Sequence, residues 1–359
     1  VTFLSGSLKA QNIVWEKSIP ISPPWGDELH CISVASDGNY ISGGRSNGLG
    51  IVVPNNAGFP NSVIIKFTPN GDTLWVKKLP SLGTVKNLHP TPTGYIWAVI
   101  DAVEPFQPAN NFYFPKAILL ASDSVPAIVA SFPQLHYFEI GDSYPTQDGG
   151  LIIFGSKDPS VLPGNQKDFY AFKINALGQQ VWSKAYPLGV SGFGTAGQIE
   201  PMANGRFFCS GSDGKRLVSF EIFEEDGRDT LFRTWFSSPG NKVLNQPAGI
   251  QIPGGEFAFQ GTYNLGGGNN MFFLGKFDKL GQKMWGGEKS GGILPIPLMA
   301  NLDSTFIANY GFSTNDLRVV RLGKDSSIIW EVNIVNTSIS GYKQFRGMIY
   351  NDDDSGILV

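Results

Sequence analysis

The chain has 359 residues, of which 42% are hydrophobic and 13% aromatic but only 16% charged, against the roughly 25% usual for soluble domains. Its 27 basic and 30 acidic residues leave a formal charge of −3 with no basic block, which argues against nucleic acid as a partner, because phosphate neutralisation requires clustered Lys and Arg. No apolar run reaches the roughly 18 residues of a membrane-spanning helix, and Gly 44 and Pro 24 punctuate short apolar runs as in many-stranded β proteins.

Residues 1–10 read as the remnant of a secretory signal peptide, apolar and small, ending in Ser7 and Ala10 at the positions a signal peptidase selects. Gln11 is then the expected mature N-terminus; an ordinary first strand is the alternative. From there on tryptophan recurs at Trp15, Trp75, Trp182, Trp235, Trp285 and Trp330, in steps of roughly 45 to 60 residues with one double step after Trp75. A β-rich repeat of that period predicts an all-β fold, a seven-bladed β-propeller of four-stranded antiparallel blades that occupies residues 11–359.

Along the chain, Ile13 to Lys17 reads as an outer strand. Blade one turns at Asp37-Gly38, carries Val63 to Phe67 and closes on Trp75. Blade two turns at Thr93-Gly94, carries Ala117 to Leu120 and closes near Ile128 without a tryptophan. Blade three shows the unit best: Tyr137 to Ile140, a turn at Asp148-Gly149-Gly150, Leu151 to Gly155, then Asp168 to Ile174, Leu177-Gly178 and Gln180 to Lys184 around Trp182. Glycine at such turns supplies the positive φ that tight hairpins require. Blades four, five and six follow through Asn204-Gly205 and Trp235, Gly254-Gly255 and Trp285, and Asp303-Ser304 and Trp330. Gly347 to Tyr350 and Gly356 to Val359 match two strands of a seventh blade, whose outer strand is Ile13 to Lys17 and whose third strand is missing; an eight-bladed ring is the competing count. The expectation is a chain that stops short of ring closure. In each blade the tryptophan is expected to wedge between neighbouring sheets.

The phrase Gly-x-x-x-Trp after a strand ending in Lys is carried by Lys66, Gly71 and Trp75, by Lys173, Gly178 and Trp182, and by Lys276, Gly281 and Trp285. It resembles the repeats of pyrroloquinoline-quinone-like and WD-like propellers, and the degenerate repeats of exported bacterial surface proteins that often end in a type IX secretion sorting domain. The resemblance covers nearly the whole chain and implies a scaffold, a secreted or cell-surface location and further domains beyond Val359. The quinone enzymes of that group carry adjacent cysteines, and this chain has only Cys31 and Cys209, so no cofactor is expected. The two fall in different blades and are expected as buried free thiols.

His30, His89 and His136 stand 7, 4 and 12 positions ahead of the turn residues Asp37, Thr93 and Asp148. At about 3.3 Å per residue that staggers them along a channel by up to about 26 Å, too far for a shared metal. Asp352-Asp353-Asp354 could attract calcium but fits a solvated hairpin turn better. No nucleophile elbow, His-Glu-x-x-His pair or Walker loop occurs. Glu200, on an inner strand, is the acid expected near the channel.

The loops between second and third strands are long in the first three blades, roughly 45–60, 100–115 and 157–167, and short in the fourth, 212–215. They carry Arg45, Phe59, Asp101, Glu104, Phe106, Phe112, Tyr113, Phe114, Lys157 and Asp158, a mixture of flat rings and charges suited to a peptide or glycan. The expected function is a noncatalytic binding or display module whose partner is a protein or carbohydrate. The alternatives are a glycan-active hydrolase or lyase with acids around the channel, and a purely structural spacer.

Overall fold

In the computed structural model the described residues are 28–51, 59–103, 113–121, 126–157, 167–188, 194–202, 204–230, 232–239, 242–264, 270–290, 298–300, 305–313, 316–323, 325, 327–335, 349–350 and 357–358. No α-helix occurs among them, and every strand pairing given is antiparallel. The chain divides into two compact units, one of Trp15–Ala196 with Phe223–Asp229 and Arg346–Val359, the other of Val1–Val14, Gly197–Ile222 and Thr230–Phe345.

The first unit opens with β1 (Glu28–Val34), β2 (Tyr40–Ile51), β3 (Phe59–Phe67), β4 (Thr73–Pro90), β5 (Ile96–Val103), β6 (Tyr113–Leu120) and β7 (Pro126–Ser131), hydrogen-bonded in that order. Strand β4 is shared: Thr73 to Leu82 pairs with β3, and Gly83 to Pro90 pairs with β5. The join is Gly83, at φ 129, where a Cβ would come within 2.1 Å of the Asp101 carbonyl oxygen. The expected first two blades are therefore present but fused by one unbroken strand. A four-stranded sheet follows, β8 (Phe138–Pro145), β9 (Leu151–Lys157), β10 (Asp168–Ile174) and β11 (Gln180–Tyr186).

The second unit repeats the pattern in sheets of β12 (Thr195–Pro201) to β15 (Arg233–Ser237), β16 (Leu244–Ile252) to β19 (Lys283–Ser290), and β20 (Met299–Ala300) to β23 (Ile328–Val335). Within them lie β13 (Arg206–Ser212), β14 (Arg216–Phe223), β17 (Glu256–Asn264), β18 (Asn270–Phe277), β21 (Phe306–Ser313) and β22 (Asp316–Leu322). A last hairpin, β24 (Ile349–Tyr350) with β25 (Ile357–Leu358), belongs to the first unit, where β24 lies against β1. The segments 1–27, 301–304 and 351–356, with the signal remnant, the Ile13 to Lys17 strand, the Asp303-Ser304 turn and the Asp352 to Asp354 cluster, lie outside the described residues.

The repeat has a packing cause. Lys66, Lys173, Lys276 and Arg321 each sit directly opposite a tryptophan (Trp75, Trp182, Trp285 and Trp330), and a one-residue bulge follows each pair. The ammonium groups of Lys66 and Lys173 turn back onto the hairpin acids Asp37 and Asp148, at 2.6 and 3.0 Å. Two of the indoles meet the turn glycine of the following sheet: a Cβ at Gly227 would lie 2.8 Å from the Trp182 ring, and one at Gly281 3.7 Å from Trp235. Trp182 also donates through Nε1 to the Glu224 carbonyl at 2.8 Å. Gly-x-x-x-Trp is thus half of a contact between sheets, with glycine receiving one indole and tryptophan offering the next. Where the second sheet lacks its tryptophan, Trp97 on β5 fills the space, fully buried, with Nε1 donating to the Gly149 carbonyl at 3.0 Å. Ile128 and Ala130 face Gly178 in its place.

Gly227 is held at φ 68 as well as crowded by Trp182. Gly227→Ala is expected to cost about 2–4 kcal/mol, from left-handed strain and overpacking together, read as a lower urea midpoint. A change below about 0.5 kcal/mol refutes the indole–glycine contact.

Candidate functional site

The innermost strands of the first three sheets share an irregularity. Register breaks between Leu29 and Cys31, between Val85 and Asn87, and between Ile140 and Asp142, leaving His30, Lys86 and Gly141 as the extra residues. All three stand at the same distance ahead of their hairpins at Asp37, Thr93 and Asp148. A bulge interrupts the alternation of side chains and frees one from the packed faces, which is why bulges gather beside functional sites.

Two of the three positions are locally satisfied. His30 Nε2 lies 3.1 Å from Glu28 Oε2, and Glu28 Oε1 accepts from Arg45 Nη2 at 2.8 Å. Gly141 is filled by contact, since a Cβ there would press on Ala196 at 2.8 Å. Lys86 differs: it acts through space on both Cys31 and Asp101. Burial pushes the Cys31 thiol up to about 12, against smaller opposing effects of the Gly43 backbone bond and Lys86, so the thiol stays protonated and unreactive.

Asp101 lies in β5 opposite Thr84 and Pro115. Burial pushes its carboxyl up to about 7; Lys86 and Lys167 pull it down and Glu139 adds to the rise. Glu139 is itself held by Lys167 at 2.8 Å. Asp101 Oδ1 is buried without a hydrogen bond, as are Arg45 Nε, Asn61 Nδ2, Ser62 Oγ and Asn87 Oδ1. Such orphaned atoms are rare, and each points to strain, water or a missing ligand. Five of the seven among the described residues fall in the first three sheets, where recognition was expected. Beneath them Asn87 Nδ2 donates to Asp142 Oδ1 at 2.8 Å and His89 Nε2 lies 2.7 Å from Ser143 Oγ, tying β4 to β8. Burial pulls His89 down to about 4, so its imidazole is neutral.

The predicted residues are placed as follows. Arg45 and Asp101 lie within strands and Tyr113 and Lys157 at strand ends, because pairing continues past the points where loops were expected to begin. Tyr113 is 43% exposed, and its carbonyl accepts from Tyr137 N at 3.0 Å; Tyr137 has φ 59, a left-handed conformation costly for a bulky residue. The Lys157 ammonium stands 5.3 Å from the Tyr170 ring centre. Phe59 opens β3 opposite Ile51. Phe114, expected on the loop face, is a core residue of the cluster between the first two sheets. Glu200 lies on β12 in the second unit. Glu104, Phe106, Phe112 and Asp158 lie outside the described residues. Cys31 and Cys209 are free thiols. The short turn after β13 closes on itself, with Asp213 accepting from the Lys215 and Arg216 backbone.

Sequence reasoning missed Lys86, Glu139, Lys167 and Tyr137. Counting back from each hairpin exposes Lys86, which matches His30 in register; nothing in the sequence announces that Glu139 and Lys167 meet across their sheet.

No family model matches the sequence, and no curated protein is similar to it. Among solved structures the chain is similar to streptogramin B lyase, with a TM-score of 0.52 and 13% identity over 90% of this chain and 88% of the lyase. It is also similar to the Dos1 propeller, with a TM-score of 0.52 and 9% identity over 92% of this chain and 89% of that one. Together with the succession of four-stranded antiparallel sheets, these likenesses show the fold: the chain is a β-propeller.

Proposed function

We propose that the chain is an exported, noncatalytic propeller that binds and displays, and that it recognises a peptide or glycan at the strand ends of its first three blades. The observation that carries this reading is the group of buried, unused donors and acceptors around Arg45, Asn61, Ser62 and Asp101. Desolvating them costs about 1–3 kcal/mol each unless a partner arrives, and the exposed Tyr113 offers a flat ring beside them. Repeats similar to those of exported surface proteins support the location, and reading Gln11 as the first residue of secreted material tests it.

Tyr113→Ala and Arg45→Ala are expected to weaken capture on a combined glycan and peptide array by about tenfold or more, the loss of roughly 1.4 kcal/mol or more, while melting temperature holds. Unchanged capture by both variants moves the site elsewhere. One observation favours a second reading: a carboxyl held near neutrality suits proton transfer, and one similar structure is a lyase. Turnover of a glycan by the wild type, lost in Asp101→Asn, establishes that reading and overturns the noncatalytic one.

A further inference from the structure

The sheet without an outer tryptophan is also the sheet whose outer strand departs from the rest. Strand β7 hydrogen-bonds to β6 along one edge and is the last strand of its sheet, so its other edge pairs with no strand among the described residues. An open edge offers unpaired N–H and C=O groups to any chain that can align with it, and charged residues on such strands keep copies of one protein apart. The other outer strands carry them: Lys78 on the outer half of β4, Lys184 on β11, Arg233 on β15, Lys283 on β19 and Glu331 on β23. Strand β7 reads Pro-Ala-Ile-Val-Ala-Ser and has none.

Its surroundings are apolar as well. Ile128 and Ala130 close the inner side against Gly178, where a Cβ would lie 2.9 and 3.0 Å from them, while Ala127, Val129 and Ser131 are exposed. Val129 is 50% exposed, Leu177 beside Gly178 67%, and Val181 on the strand that leaves that turn 52%. Among the described residues these are the three most exposed large hydrophobic side chains of the first unit. They gather on one strand, the turn packed against it and the strand that follows, and apolar surface so concentrated marks an interaction site.

The occupant that fits is a second copy of the chain. Laid antiparallel on itself about a two-fold axis through Val129, β7 sets Val129 against Val129, Ile128 against Ala130 and Ala127 against Ser131, the same in both directions. A larger side chain meets a smaller one on the inner side, β-branched valines meet on the exposed side, and no charge opposes a charge. Pro126, which lacks an N–H, falls outside 127–131 and takes no part in the ladder. Self-pairing of any other outer strand puts like charges into one short ladder, which is unfavourable.

We infer that the protein self-associates as a two-fold dimer through the free edge of β7, joining the outer strands of two copies in one continuous sheet. Because β7 is the one described outer strand without a charge, association closes at two copies and does not extend. Six residues and an adjoining turn per copy fall short of the roughly 20–30 residues a side of a standard interface, so the dimer is weak, with a dissociation constant on the order of 10 μM.

Sedimentation velocity of the full chain from about 1 to about 300 μM tests it, with a reversible shift from monomer to dimer expected. Val129→Lys and Val129→Glu are each expected to stay monomeric over that range, since each sets two like charges face to face on the axis. An equimolar mixture of the two recovers the dimer, because only a two-fold pairing sets residue 129 against itself. The side chain replaced is half exposed, so melting temperatures are expected to match the wild type. Leu177→Lys, at a turn outside the ladder, is expected to weaken the dimer by about tenfold and supplies the readout if neither variant at Val129 folds. A wild type that is monomeric at every concentration, a dimer indifferent to Val129→Lys or to Leu177→Lys, a mixture that stays monomeric, or growth beyond two copies overturns the inference.

Discussion

Asp101→Asn is expected to make the protein more stable at pH 8, by roughly 2–4 kcal/mol, and to leave stability near pH 4 almost unchanged. In the folded chain burial holds this carboxyl near 7 against an ordinary value of 3.8. The neutral form is favoured on folding, so the stability Asp101 contributes is present below its unfolded value and is lost as pH rises through its folded one. Above that window the native state carries a desolvated carboxylate whose Oδ1 accepts no hydrogen bond. Asparagine removes the charge and keeps the shape. Urea midpoints at the two pH values measure the difference, and a variant no more stable than wild type at pH 8 contradicts the burial of a charge. A residue that weakens its own fold at neutral pH is typical of sites shaped for binding or chemistry.

His89 titrates the other way. Burial lowers it to about 4 from 6.5, so its contribution is complete above the unfolded value and is lost as pH falls through the folded one. The full span is worth about 3 kcal/mol. The two groups therefore cancel across the same acid window, and the wild type should show a nearly flat profile between about pH 4 and about pH 6.5. Each single variant exposes the partner's slope: Asp101→Asn loses stability on acidification, and His89→Gln loses it as pH rises. Two flat profiles dispose of the opposition. Gln replaces the imidazole at Ser143 with an amide that can still reach the hydroxyl, so a loss of fold in this variant reports the β4–β8 tie rather than titration.

Much of the scaffold was legible because its signals are local. Trp75, Trp182, Trp235 and Trp285 are each held against a neighbouring turn or core cluster, Trp330 is buried, and each hairpin glycine announces its own positive φ. Trp97 escaped, since it does on a second strand what the others do on a fourth, and a count by position cannot see a volume supplied from elsewhere. The site was legible only as a region. Arg45, Asp101, Tyr113 and Lys157 were reached through the long connections beside them, yet Asp101 is also acted on electrostatically by Lys86 and by the Glu139–Lys167 pair, which no local pattern links to it. Phe114 was misplaced for a related reason: a ring next to a loop turned inward because its alternate position faces the core.

Strand β4 passes from one blade into the next without ever leaving β conformation. A protease needs several residues of slack backbone to seat a substrate, and this crossing has none, so limited digestion will not part the first two blades from each other. Under load along the chain they must shear as one body, which makes these two blades an indivisible piece.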